Sequence, residues 1–199
     1  MSLIFSSIKH GILNDIKNVN EYFSKPTTDD NYNEIIHGLY LGNYDAACSK
    51  SFILNKEIDL VVNCSNNLDW PEFYKNIERP NFKYIRIPLD DSFDPTDQDI
   101  MKVSLERICP IIYTTININH QNVYVHCYAG IQRSATVIIC YLMYKDLQEK
   151  NPILPLKEYY KFLKNKRVVV FHPDPTFVKV IHLYYKRIKE LSKTNLTTK

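Results

Sequence analysis

Val123-Tyr124-Val125-His126-Cys127-Tyr128-Ala129-Gly130-Ile131-Gln132-Arg133-Ser134-Ala135-Thr136 is the stretch whose reading decides the fold. Its first four residues are β-branched or aromatic, as a buried strand prefers. Five residues with one glycine separate Cys127 from Arg133, and residues 134–147 are apolar nearly all round, the pattern of a buried helix. A strand that passes through so short a loop into a helix belongs to an α/β sheet with parallel pairs.

Working outward, residues 38–42, 58–63 and 84–88 are short runs rich in β-branched or aromatic side chains and bounded by breakers, so they read as further strands. Residues 97–116 carry a helical pattern that Pro110 is expected to kink, and residues 155–164 carry another. A last helix is expected from a cap at Asp174, with Pro175 at its first position, through Phe177, Val180, Ile181, Tyr184, Ile188 and Leu191. The expected fold is α/β, with a central, mostly parallel twisted sheet flanked by helices.

Ahead of this domain, Ile4, Phe5, Ile8, Ile12, Leu13, Ile16 and Val19 recur at spacings of three and four, the stripe of an N-terminal amphipathic helix. The polar residues 24–31, with Pro26 among them, read as a linker. The chain thus divides into a helix and linker over residues 1–31, a catalytic domain over residues 32–192 and a polar tail over residues 193–199. The apolar stripe needs a cover, either its own domain or a second copy, and the second option gives a homodimer through this segment.

The loop after Val125 makes an anion site. Backbone N–H groups of a tight loop point inward, and the helix N-terminus adds roughly half a positive charge. Tyr128, Ala129, Gly130, Ile131, Gln132 and Arg133 would together hold a phosphate, with Gly130 letting the backbone curl. Arg133 adds a planar fork that grips two phosphate oxygens, which lysine cannot do. A thiol at a helix N-terminus beside an arginine loses its proton more readily than a free one, so Cys127 reads as a thiolate nucleophile. Its obvious chemistry is in-line attack on phosphorus to give a cysteinyl-phosphate that water later hydrolyses. Ser134 would set a hydroxyl beside the sulfur, and His126 supports the strand end. Five cysteines and six arginines in 199 residues predict about 0.15 chance Cys-x5-Arg matches; requiring His126, Gly130 and Ser134 as well lowers this to roughly one in 10⁵.

Composition narrows the classes further. At 199 residues and 45% hydrophobic, the chain has enough apolar mass for a core, which excludes intrinsic disorder. The net charge of +3 is too small for a nucleic-acid-sized field, so no nucleic acid partner is expected. The five cysteines form no CxxC pair, which argues against a disulfide framework or a zinc site and for a reducing, cytoplasmic location. No apolar run reaches the roughly 18 residues of a membrane span, so no membrane partner is expected. His120, His172 and His182 lack metal-spaced neighbours. Cys64, at a strand end leading to the site, reads either as a buried structural thiol or as a resolving partner for oxidised Cys127. The basic residues from Lys157 to Arg167 read as a solvated helix face.

The run His126-Cys127-x5-Arg133-Ser134-Ala135-Thr136 resembles the active-site loop of the dual-specificity protein phosphatases, within the cysteine-dependent tyrosine phosphatase superfamily. Ile36-His37-Gly38-Leu39-Tyr40-Leu41-Gly42-Asn43 is similar to that family's opening strand and turn. Val61-Val62-Asn63 resembles the next strand, Ile87-Pro88-Leu89-Asp90-Asp91 the acid loop, and the segment from Arg167 through Pro173 to Phe177 the closing segment. The resemblance runs from about residue 32 to 190. It implies a two-step mechanism without metal or cofactor, with Cys127 as nucleophile, Arg133 as phosphoryl anchor and Ser134 assisting thiolate release. A general acid is required in any case, because an alkoxide or phenolate leaves poorly unless protonated. The family's acid maps onto Asp91, with Asp90 and Asp94 close enough to compete. The spacing from Asp91 to Cys127 is longer than the family leads one to expect, and the excess falls on residues 114–121.

The resemblance also bears on substrate. The strictly tyrosine-directed relatives have an added recognition loop and a Trp-Pro-Asp acid loop, and here Trp70-Pro71 is followed by Glu72. A shallow pocket admitting phosphoserine, phosphothreonine and phosphotyrosine on a protein partner is therefore expected. Residues 128–132 carry no lysine, histidine or asparagine, which makes a phosphoinositide phosphatase and an RNA 5′-phosphatase the runners-up. A non-catalytic phosphoprotein adaptor is the alternative of another class, and the presence of Cys127, Arg133 and a candidate acid argues against it.

Overall fold

The computed structural model describes residues 30–197, with side chains through residue 194. The amphipathic helix expected over residues 4–19 lies outside the described residues. Five strands form one sheet: β1 (Tyr32–Ile36), β2 (Leu39–Gly42), β3 (Ile58–Asn63), β4 (Lys83–Arg86) and β5 (Asn122–His126). Their order is β1-β2-β5-β3-β4; β1 pairs antiparallel with β2, and every other pairing is parallel. The mostly parallel sheet expected from the sequence is thus present, with β5 at its centre.

Alternation of side chains divides the core between the two faces of this sheet. Leu39 and Leu41, Leu60 and Val62, and Val123 and Val125 point to one face. That face is covered by α3 (Pro95–Tyr113), α4 (Arg133–Gln148), α5 (Leu156–Lys166) and α6 (Val178–Thr197). Tyr40, Val61 and Tyr124 point to the other, where α1 (Tyr44–Cys48), α2 (Lys50–Asn55) and a 3₁₀ turn (Glu72–Asn76) cover them. Covering both faces buries β5 and α4 almost completely, which explains their unbroken apolar sequence.

Several features depart from the sequence reading or add to it. β1 was missed: its register shifts between Glu34 and Ile36, so Ile35 and Ile36 break the period-two pattern by which a strand is recognised. α3 starts two residues earlier than expected, because the Asp94 side chain caps it by accepting from the Thr96 N–H at 2.7 Å, with Pro95 in the first turn. The helix runs unbroken through Pro110 and ends in a wide π turn over Thr114–Ile118, within the stretch that carries the extra spacing. The cap expected at Asp174 is not formed, and α6 begins at Val178. The Gln132 side chain explains this: it donates to the His172 and Asp174 carbonyls and accepts from the Thr176 N–H, holding that segment as a loop. At the other end, residues 193–197 of the segment read as a polar tail continue α6.

Gly42, the last residue of β2, lets three segments meet. A Cβ there would lie 2.3 Å from the Asn31 carbonyl oxygen and 2.6 Å from the Tyr124 hydroxyl, which itself donates to the Asn43 carbonyl at 2.6 Å. Gly42→Ala should therefore lower stability by more than about 2 kcal/mol, read as a shift in denaturation midpoint. His126 closes β5 with its ring buried and stacked 5.5 Å from Tyr124 and 6.2 Å from Tyr44. Burial pushes its pKa down to about 4. A histidine depressed on folding contributes nothing to the pH dependence above its unfolded pKa. As pH falls toward 4 the unfolded chain takes up a proton that the folded one refuses, and stability drops, by about 3 kcal/mol in all. Urea denaturation at pH 7 and pH 4.5 should show this loss in the wild type and a smaller one in His126→Gln.

Candidate active site

Cys127 leaves the C-terminal end of β5 and is 1% exposed. The Ser134 hydroxyl donates to its Sγ at 3.3 Å, from the first turn of α4. Arg133, the first residue of that helix, is also buried, and its Nη1 donates to the Leu89 carbonyl at 3.0 Å. Its Nε has no hydrogen-bond partner, with an Asp91 carboxylate oxygen 3.8 Å away.

The loop between Cys127 and Arg133 has all of its carbonyls tied from behind. The Tyr128 carbonyl accepts from the Tyr44 N–H at 2.9 Å, and the Ile131 carbonyl from the Phe171 N–H at 3.0 Å. The Ala129 and Gly130 carbonyls accept from Arg167 Nη2 and Nε at 3.2 and 3.0 Å. The Gln132 carbonyl accepts from both the N–H and the hydroxyl of Thr136. None of the N–H groups of residues 128–132 has an acceptor among the described residues. Gly130 adopts φ +69°, and a Cβ there would lie 2.4 Å from the Gly42 carbonyl oxygen, so both conformation and contact require glycine.

His126 sits beneath this loop. Its Nδ1 lies 3.2 Å from the Cys127 carbonyl, which can only accept, so the ring proton is on Nδ1. Its Nε2 is buried without a partner. Cys64 leaves β3 at the level where Cys127 leaves β5, because Asn63 pairs with His126. Burial, and then the charge of Cys127, pushes the Cys64 thiol well above the ordinary thiol range. Cys64 is thus a buried thiol next to the loop.

Of the three aspartates that compete as general acid, the structure brings only Asp91 to Arg133. Asp94 is occupied as the cap of α3. Asp90 is exposed, and its backbone N–H donates to Asp97 at 3.1 Å. Asp97 also accepts from the Ser92 hydroxyl, so one side chain in the first turn of α3 holds both ends of the turn that presents Asp91.

Arg167 is the functional residue that sequence reasoning missed. Grouped there with a solvated basic face, it is instead 5% exposed, and besides the two loop carbonyls it binds the Asp30 carbonyl at 2.9 Å and the Asn33 side chain at 2.8 Å. Lys157, Lys161 and Lys164 do face solvent. The available signal was the apolar run Val168-Val169-Val170-Phe171 directly after Arg167, which marks the chain turning inward. Among the described residues, no three His, Cys, Asp or Glu side chains converge as a metal site would require, and no helix is long and apolar enough to cross a membrane.

Residues 39–187 match the family model for the dual specificity phosphatase catalytic domain. Human dual specificity protein phosphatase 16 is 31% identical over 161 residues, covering 78% of this chain and 21% of that protein. Human dual specificity protein phosphatase 26 is 26% identical over 166 residues, covering 80% of this chain and 74% of that one. The chain spans about a fifth of the length of the first of these relatives. The crystal structure of human DUSP28 superposes with a TM-score of 0.65 at 22% identity, over 83% of this chain and 99% of that one, a likeness of fold. Because the matched residues take in four of the five strands, the whole loop from Cys127 to Arg133 and the arginine behind it, the chain belongs to the dual specificity phosphatase catalytic domain family.

Proposed function

We propose that the protein hydrolyses phosphotyrosine and phosphoserine or phosphothreonine in protein substrates, through a cysteinyl-phosphate. The observation that carries this reading is the loop in which five successive carbonyls are tied outward and five N–H groups are left without acceptors. Such a concave set of donors at a helix N-terminus suits a phosphate dianion and little else. The orphaned Nε of buried Arg133 supplies one more donor.

In the first step the Cys127 thiolate attacks phosphorus. The S–P bond forms as the P–O bond to the substrate breaks, and Asp91 gives its proton to the departing oxygen. In the second step the Asp91 carboxylate takes a proton from water, whose oxygen attacks phosphorus. The S–P bond breaks, inorganic phosphate leaves, and the Ser134 hydroxyl stabilises the returning thiolate. Arg133 and the amides of residues 128–132 hold the three non-bridging oxygens through both steps, where charge on them is greatest. Every charge these steps need comes from the chain's own groups, so no cofactor is assigned. The catalytic unit is residues 32–192, and the five free cysteines suit the reducing cytoplasm.

Hydrolysis of a generic aryl phosphate should be blocked by vanadate and indifferent to EDTA. Cys127→Ser should lose turnover by at least about 10⁴-fold while still binding phosphopeptide; wild-type-like rates from that variant would end the proposal. Asp91→Asn should slow phosphopeptide hydrolysis by about 10²-fold, and aryl phosphates with good leaving groups much less, because those need little protonation. Arg167→Ala leaves four acceptors behind the loop unpaired. It should cost about 3 kcal/mol of stability and lower kcat/KM for every substrate alike, whereas Arg167→Lys restores stability only in part.

A further inference from the structure

The rim around the phosphate cradle has a character opposite to its floor. Residues 65–69, 88–94 and 168–176 form it together with Tyr128, and a hydrogen bond ties each stretch to the cradle. The Asp69 carbonyl accepts from the Tyr44 hydroxyl, and Tyr44 is bound through its N–H to Tyr128. The Leu89 carbonyl accepts from Arg133, and the Asp174 carbonyl from Gln132. No residue in these stretches is a lysine or arginine, and the Arg86 guanidinium that packs on the first of them donates to the Ser65, Asn66 and Leu68 carbonyls, while Asp69, Asp90 and Asp174 all stand exposed. Phe93 and Tyr128, at 77% and 67%, are the two most exposed large apolar side chains among the described residues, and Val168 at 52% is a third on the same rim. The donors that attract a phosphate are thus confined to the floor, and whatever flanks the phosphorylated residue meets apolar surface and negative charge.

We infer that this rim selects phosphorylated residues whose neighbours are apolar or basic, and rejects those flanked by acidic residues or by a second phosphate. The inference rests on the phosphatase reading of the cradle. In an extended peptide successive residues are about 3.3 Å apart, so positions one to three on either side of the phosphorylated residue lie within reach of the rim. Apolar neighbours there cover Phe93, Tyr128 and Val168, which removes their surface from water. A pair of like unit charges about 10 Å apart in water weakens binding roughly twofold before screening, so at about 10 mM ionic strength three rim carboxylates together amount to roughly fivefold, and to much less at physiological salt. A second phosphate, carrying about −1.5 to −2, is penalised more.

Two phosphotyrosine peptides distinguish the outcomes, one flanked by leucine and lysine, the other by glutamate with a phosphothreonine two positions away. At about 10 mM ionic strength, their kcat/KM values on the wild type and their Kd values on the Cys127→Ser protein, by fluorescence anisotropy, should both favour the first peptide by about tenfold or more. Asp69→Lys combined with Asp174→Lys should cut that ratio at least about fivefold, Phe93→Ser should weaken binding of the leucine-flanked peptide, and about 0.5 M salt should shrink the charge-dependent part. Equal or inverted selectivity in the wild type, or selectivity unmoved by these variants, overturns the inference. Para-nitrophenyl phosphate has no flanking residues and reads the cradle alone; its failure to be hydrolysed overturns the phosphatase reading, while the anisotropy ratio still decides the role of the rim.

Discussion

Five successive carbonyls, from Tyr128 to Gln132, accept hydrogen bonds from outside the loop that contains them, and two of those bonds come from the one guanidinium of Arg167. Turning five peptide dipoles the same way sets their positive ends against one another, which a free loop would relieve by flipping some of them. The outside donors remove that option, because a flipped peptide would leave a donor and a carbonyl unpaired in a buried place. The donors belong to the start of α1, the first turns of α4, the end of α5 and the loop before α6, and three of these four lie far from the loop in sequence. The shape of the anion site is therefore a property of the assembled domain rather than of the loop.

The same assembly fixes where the reacting groups stand. Gly130 in the loop comes so close to the Gly42 carbonyl at the end of β2 that it tolerates no side chain, which sets the loop directly against the sheet. Arg133 reaches the other way, to the Leu89 carbonyl, two residues before Asp91. Asp97 then holds the turn that follows through Asp90 and Ser92. Cys127 is consequently buried, while the Asp91 side chain remains 36% exposed, which would suit the general-acid role proposed for it.

How much of this was legible beforehand depended on the range of the interaction that decides each feature. β3, β5 and α4 emerged within a residue or so of expectation, because burial on every side leaves an uninterrupted apolar signature. His126, Cys127, Arg133 and Ser134 were legible because local backbone geometry brings a strand end, a loop and a helix start together. β1 was not, since its bulge destroys the alternation, and the start of α6 was misplaced because a side chain 42 residues away, Gln132, overrides a good local cap at Asp174. The role of Arg167 was hidden for the same reason: its partners Asp30 and Asn33 lie 137 and 134 residues off in sequence, and only the apolar run that follows it sets it apart from the lysines before it. Asp91 was singled out beforehand only through the family resemblance; the structure adds that, of the three aspartates, it is the one beside Arg133, while Asp94 caps α3.

Net charge has little to do with how such a protein chooses an anion. An excess of +3 spread over the chain is screened within about 8 Å at physiological ionic strength, whereas Arg133 is buried, and a buried charge is screened much less. The two regions consequently work at different ranges. In the proposed reading the floor binds one phosphoryl group whatever carries it, because its donors would touch the oxygens directly. The exposed carboxylates and apolar side chains around it act on the next residues along the substrate, weakly and additively. A floor of this kind cannot tell one phosphorylated residue from another, so discrimination falls to the rim, and a rim without a single lysine or arginine leaves no attraction for a second negative group.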